Sequence, residues 1–340
     1  RLAQKEKIRL DGQELGGSDV VGSRPGTDIE MSYRYLDHLL DTKMKLKPWA
    51  EEIVEAELSA VLIGANLSSR FGLLFPPVDL RFDQPPAILI TSPRDHIRRL
   101  ETVLINPELT GIERSILENV LFDNYNLSAY VSNLGGLATY PTLVSDLNTQ
   151  REVLQIAAHE WLHAYFFFRP LGQNIWVSEK MNTLNETAAD LAGRELGDVA
   201  FARMGGDLGI SDRQHMSGVD RDPVFAKEMR ETRLEVDELL RHGMVEEAEQ
   251  YMKNRRWRLA LGGYGLRKLN QAYFAFHGSY AEGGASVSPI GVQLKELRGL
   301  LPDVGTFVRI ISSVSSYQEF LDMLTSLKSD DSVELIPMSR

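Results

Sequence analysis

Thr149-Gln150-Arg151-Glu152-Val153-Leu154-Gln155-Ile156-Ala157-Ala158-His159-Glu160-Trp161-Leu162-His163-Ala164-Tyr165-Phe166-Phe167-Phe168-Arg169-Pro170 decides how this chain folds. Its first four residues form a capping box, in which a threonine hydroxyl and a glutamate carboxylate satisfy the first orphan amides of a helix. Pro170 cannot continue that helix, so the pattern predicts one helix ending there. Residues 153–168 are apolar nearly all round, the mark of a core helix. Two imidazoles and a carboxylate are costly in such a place unless they are paired or bind a metal. An α-helix advances ~100° per residue, so His159 and His163 stand almost one above the other and can hold one ion from one face. Glu160 is offset by one position. It can meet a metal-bound water but is poorly placed to ligate, which is what a general base needs.

A catalytic zinc site takes three protein ligands, so one more must come from elsewhere. Downstream lies Asn185-Glu186-Thr187-Ala188-Ala189-Asp190. The intervening chain is long enough for the first helix to end, turn at Pro170-Leu171-Gly172 and return antiparallel as a second helix from Ser178 to near Gly197, a glycine suited to a C-terminal cap. Asp190 shares a face with Glu186 and can accept from the non-ligating nitrogen of a histidine. Over 159–190 the chain resembles the gluzincin metallopeptidases, whose HExxH helix is followed by a helix carrying Glu and, four later, Asp. The resemblance implies His159, His163 and Glu186 as ligands of one zinc ion per chain, Glu160 as base, and Asn185 and Asp190 as partners of the histidines. The metzincin extension is absent, because Arg169 stands where a third histidine would fall.

The expected chemistry is amide hydrolysis, with zinc polarising the carbonyl and Glu160 moving the proton from water to the leaving amine. The developing oxyanion needs a further donor. Candidates are Tyr280 and His277, three apart and thus neighbours on a helix predicted over 266–281. Tyr264 and His215 are weaker ones. The stretch from Asn270 and Gln271 to Tyr280 is similar to the Asn-Asn-Ala…Tyr segment of a family of bacterial predicted aminopeptidases, with Gln271 in place of the second Asn. Gluzincins also bind peptide along an edge strand, and residues 135–140 are a candidate, although a plain hairpin turn at Gly135-Gly136 is the preferred reading.

Outward from this core, the fold class expected is α+β: a flexible arm over 1–26, a mixed lobe with a small sheet over 27–148, and a mainly helical lobe over 149–340 with a zincin-like helix pair. Thr27-Asp28-Ile29-Glu30 caps a helix to about Lys45, and another follows Pro48 to about Ser69. Strands are expected over 78–82, 87–91, 127–131 and 137–140, the last two joined by a Gly135-Gly136 turn. A capped helix is expected from Thr110 to about Asn124. Residues 203–222 read as a loop, followed by helices over 223–241, 244–261, 266–281, 289–300 and 317–328.

The 340 residues carry a formal net charge of -11, which argues against nucleic acid as a partner. The absence of cysteine excludes disulfides, thiolate nucleophiles and Cys-ligated zinc. No apolar run reaches the ~18–20 residues of a membrane span. The chain starts at Arg1, which leaves an upstream targeting or anchoring segment, and so the location, open. The partner expected is a peptide or unfolded protein, with oligomeric state and amino- versus endo-action unresolved. The alternative function is a catalytically inactive, zinc-stabilised scaffold or interaction protein, and a non-peptide substrate is a third. The remaining His38, His96 and His242 sit among charged residues and read as surface.

Overall fold

The structure is a computed structural model that describes residues 25–209 and 222–329, apart from the side chains of 25–28. Most of the expected arm and of the loop over 203–222 lies outside the described residues, as does His215. Among the described residues there are eleven helices and two three-stranded sheets, an α+β architecture. They fall into two compact units, one up to Val54 and one from Glu55.

The first unit is helical. Helix α1 (Pro25–Gly64) begins there, with ion pairs one turn apart between Arg34 and Glu30 and between Lys45 and Asp41. Two helices were expected here and one is found, with Pro48 inside it. A proline forfeits one helical hydrogen bond but its fixed φ is helical, and the helix-forming runs on both sides outweigh the loss.

In the second unit, β1 (Leu80–Phe82), β6 (Thr142–Val144) and β5 (Gly136–Leu137) make one sheet, with β6 central, parallel to β1 and antiparallel to β5. β5 is therefore an edge. The other sheet has β2 (Ala87–Pro93) between β3 (Thr102–Ile105) and β4 (Leu127–Asn133), antiparallel to both. β4 and β5 thus belong to different sheets, which corrects the hairpin expected around Gly135-Gly136. Strands β3 and β6 carried no alternating pattern long enough to announce them.

Helix α2 (Gly111–Tyr125) starts at the expected Thr110 capping box. It buries Glu118, which accepts the Val131 N–H at 2.7 Å and pairs with Arg267 and Lys268. That cluster ties α2, β4 and the later chain together. Helices α3 (Gln150–Phe167), α4 (Pro170–Gln173) and α5 (Glu179–Arg203) follow, with Thr149 and Ser178 as N-caps. The remaining helices are α6 (Pro223–Arg241), α7 (Val245–Leu261), α8 (Gln271–His277), α9 (Ile290–Leu300), α10 (Val304–Ser312) and α11 (Tyr317–Ser329). The helix expected over 266–281 is cut to seven residues, because Asn270 caps its start and the chain turns at Gly278. Helix α10 was not foreseen from the sequence.

Helix α5 does not stop at Gly197 but runs on to Arg203. The glycine serves close approach instead. A Cβ there would lie 2.5 Å from Gln155 Cα and 2.6 Å from its backbone nitrogen, and one at Gly193 would lie 2.8 Å from the His159 nitrogen. Arg151 and Gln155 both bond Asp198, at 2.7 and 2.6 Å. These pairs run in opposite order along the two helices, so α3 and α5 are antiparallel and nearly touching. Gly197→Ala is expected to lower stability by roughly 1–3 kcal/mol through overpacking, despite the gain in helix propensity of about 1 kcal/mol. An unchanged or higher melting temperature would mean that the helices have room to spare.

Candidate metal centre

The antiparallel pairing brings the second turn of α5 opposite the middle of α3. His159, His163 and Glu186 offer one ligand atom each, all within 4.8 Å of one another, the one such His/Asp/Glu cluster among the described residues. The two Nε2 atoms are 3.0 Å apart, and Glu186 Oε2 lies 3.5 Å from His163 Nε2 and 4.0 Å from His159 Nε2. Ligands ~2.0–2.1 Å from a tetrahedral ion are about 3.3 Å from each other. The triangle therefore fits one small ion. Asn185 Oδ1 sits 2.9 Å from His163 Nδ1, so this nitrogen donates there and Nε2 keeps its lone pair for a metal.

Without an ion the cluster balances its own charges. Burial pulls the His159 imidazole down to about 4, aided by the charge on His163. Burial also acts to strip His163, but the charge and hydrogen bond of Glu186 win and push it up to about 9. Burial would raise Glu186, yet His163 and then His159 hold it down to about 2.

Glu160, beside the triangle, lies against β5. Burial pushes its carboxyl up to about 7, while the Ala138 N–H, donating to it, works the other way. Strand β5 gets this close only because Gly136 has no side chain. A Cβ there would stand 2.7 Å from Glu160 Cγ and 2.7 Å from Ile156 Cγ2. Of the two readings of 135–140, the turn at Gly135-Gly136 is corrected, because Gly136 lies within an edge strand that runs beside Glu160 over Gly136–Leu137 alone.

Tyr280 reaches the site by a route other than the one expected. After Gly278 the chain folds back, and Tyr280 N–H donates to the His277 carbonyl. Thr187, buried one residue beyond Glu186, clasps this turn: its hydroxyl donates to the Ser279 carbonyl at 3.4 Å and accepts the Ala281 N–H at 3.0 Å. The phenol ring lies 6.4 Å from the His159 ring, and burial keeps its proton on well above the usual tyrosine range. His277 does not join it. That imidazole stacks on Tyr273 at 4.2 Å, away from the cleft wall, and burial pulls it down to about 4. The expectation that His277 and Tyr280 share a helical face fails because α8 ends between them. Tyr264 bonds Asp222, far along the chain from the ligands. Asp190 pairs with Arg194 at 3.0 Å and acts on His159 through its charge.

A cleft of about 1030 Å³ opens over His159, His163 and Glu186, with Glu160 and Tyr280 beside them. Phe75, Tyr140, Phe167, Phe168 and Trp176 line it and are exposed, Trp176 at 83%. Its wall also holds Arg99, from the loop between β2 and β3, which nothing in the sequence singled out. Thr187 was equally unforeseen, though its place beside Glu186 was a signal within reach. The exposed positions of His38, His96 and His242 agree with their surface reading. Compared with protein-family models, curated proteins and solved structures, the chain finds no match, so the geometry of this centre is what speaks for its role.

Proposed function

We propose that this chain is a zinc-dependent peptidase, with His159, His163 and Glu186 as ligands and Glu160 as the general base. The observation that carries this reading is the company the His-His-Glu triangle keeps: a carboxylate that does not ligate, an edge strand beside it, and a phenol across the cleft. A purely structural ion has no use for any of the three, and is normally closed in by a fourth protein ligand.

Zinc, when bound, supplies Lewis acidity towards a carbonyl and acidifies nearby water. The protein's residues do the rest. Strand β5 offers main-chain groups to an extended peptide, which would lie along it as an added strand. The exposed aromatic rim gives apolar side chains of that peptide a surface to cover. Glu160, with a carboxyl near neutrality, takes the proton of the attacking water and returns it to the amine as the C–N bond breaks. Tyr280 keeps its proton and donates a hydrogen bond to the oxygen on which charge develops.

Tyr280→Phe is expected to lower turnover by roughly 10²-fold, the usual effect of deleting one such donor, with metal content unchanged. Full activity in that variant would remove the phenol from the mechanism. The proposal itself is tested by exposing a mixed peptide library to zinc-loaded protein and to its Glu160→Gln variant, and reading the products by mass spectrometry. Cleavage by the wild type alone supports the peptidase. No cleavage by either, with zinc bound, would favour a scaffold.

A further inference from the structure

Among the charged side chains lining the cleft, four have a part in the proposed reaction: His159, Glu160, His163 and Glu186. The fifth is Arg99. Among the described residues of the wall it is the one Lys or Arg, and it forms no ion pair. One of its N–H groups reaches Ser279 Oγ at 3.0 Å, and its guanidinium lies 5.6 Å from the centre of the Phe276 ring. The charge acts on Glu186 and on Tyr280, so it stands in the neighbourhood of the reacting groups.

Arg99 feels Glu186 only through space, and a partly buried cation with no carboxylate in direct contact among the described residues gains from a ligand that supplies one. Arginine has five N–H donors in a planar fork that matches a carboxylate at two points. Ser279 occupies only part of that capacity. A second cavity, of about 430 Å³, shares Arg99, Ile175 and Trp176 with the cleft. It adds Arg98, Lys180 and Arg233 against a single acid, Glu179, and Arg233 is already paired with Asp237. The lining on this side of the junction therefore holds more basic than acidic side chains. Recognition of a substrate amino terminus would need the reverse, and both carboxylates on the cleft wall, Glu160 and Glu186, are already committed.

Resting on the peptidase reading, we infer that Arg99 receives a carboxylate of the substrate, so that peptides carrying one close to the scissile bond are preferred. That carboxylate is either a free C-terminus or the side chain of an Asp or Glu. Arg99 is then a specificity residue that touches substrate, and the junction of the two cavities is where the acidic group sits.

The test measures binding to the zinc-loaded Glu160→Gln protein by calorimetry, with three peptides of otherwise common sequence. One is a free acid without acidic side chains, one its C-terminal amide, and one the amide with a single internal Glu. At least one carboxylated peptide is expected to bind roughly tenfold more tightly than the neutral amide, the worth of a charge-assisted bond. The gain should vanish when Arg99→Gln is added and return in part with Arg99→Lys. Whichever peptide shows the gain identifies the source of the carboxylate. Equal affinity of all three, a gain that survives Arg99→Gln, or no binding at all overturns the role of Arg99. Hydrolysis of the neutral amide by wild-type protein, assayed in parallel, reports on the peptidase reading separately.

Discussion

The Glu160→Gln protein is expected to keep its fold and its zinc yet to hydrolyse peptides roughly 10²–10⁴-fold more slowly, the range in which positioned acid–base groups contribute. The substitution is nearly isosteric, and the amide oxygen can still accept the N–H of Ala138 that now meets the carboxylate. Strand β5 should therefore stay in place, held as it is by the pairing of Gly136 with Val144 and by the absence of a Cβ at Gly136. What disappears is the group proposed to take the proton and to give it back. The variant also removes a negative charge beside the ligands, so its zinc affinity should change far less than its turnover. The check is a pair of measurements on one sample, metal per chain and kcat. Loss of zinc together with activity would mean that Glu160 belongs to the ligand set, and the proposed division of labour would be wrong.

Glu186→Ala is expected to have the other large effect: metal content should fall from about one per chain to a small fraction, because two of three donors seldom hold a catalytic ion. The metal-free protein should suffer as well. Glu186 is the main counter-charge that keeps a proton on His163, and without it the two imidazole nitrogens face each other at 3.0 Å with only the weaker pull of Glu160 and Asp190 left. A fully buried ion pair broken on one side costs 3–5 kcal/mol, and these side chains retain some water contact, so a loss of about 1–3 kcal/mol is expected. Elemental analysis after gel filtration and a thermal melt read the two effects. Unchanged metal content would exclude Glu186 as a ligand, whatever the melt shows.

The parts of the centre legible in the sequence are those set by helical spacing. His159, Glu160 and His163 meet because four residues make about one turn, and Glu186 meets them because Pro170 and the Ser178 cap bound the connection between two helices. Asn185 came with Glu186. Other parts depend on contacts that no local pattern encodes. Gly197 looks the same in sequence whether it ends a helix or lets one approach another, and only the backbone of Gln155 at 2.5 Å decides. Tyr280 could be named as a donor, but its path into the cleft depends on a turn held by Thr187 from another helix. Arg99 sits in a connection between strands and follows no period. The separate sheets of β4 and β5 arise because β4 pairs with β2, distant in sequence, whereas β5 pairs with β6 just beyond it. Hydrophobic alternation does not distinguish partners of that kind.

The Thr187 clasp has a mechanical consequence. Glu186 and the anchor of the Tyr280 turn are consecutive residues of α5, whereas Glu160 belongs to α3 and leans on β5. If α5 slides or tilts against α3, Glu186 and the Tyr280 turn travel as one piece relative to His159, Glu160 and His163. The cleft thus has two walls, one bearing Glu186 and the anchor of the Tyr280 turn, the other bearing His159, Glu160 and His163, and the close glycine contacts at 193 and 197 leave little room between the helices that carry them.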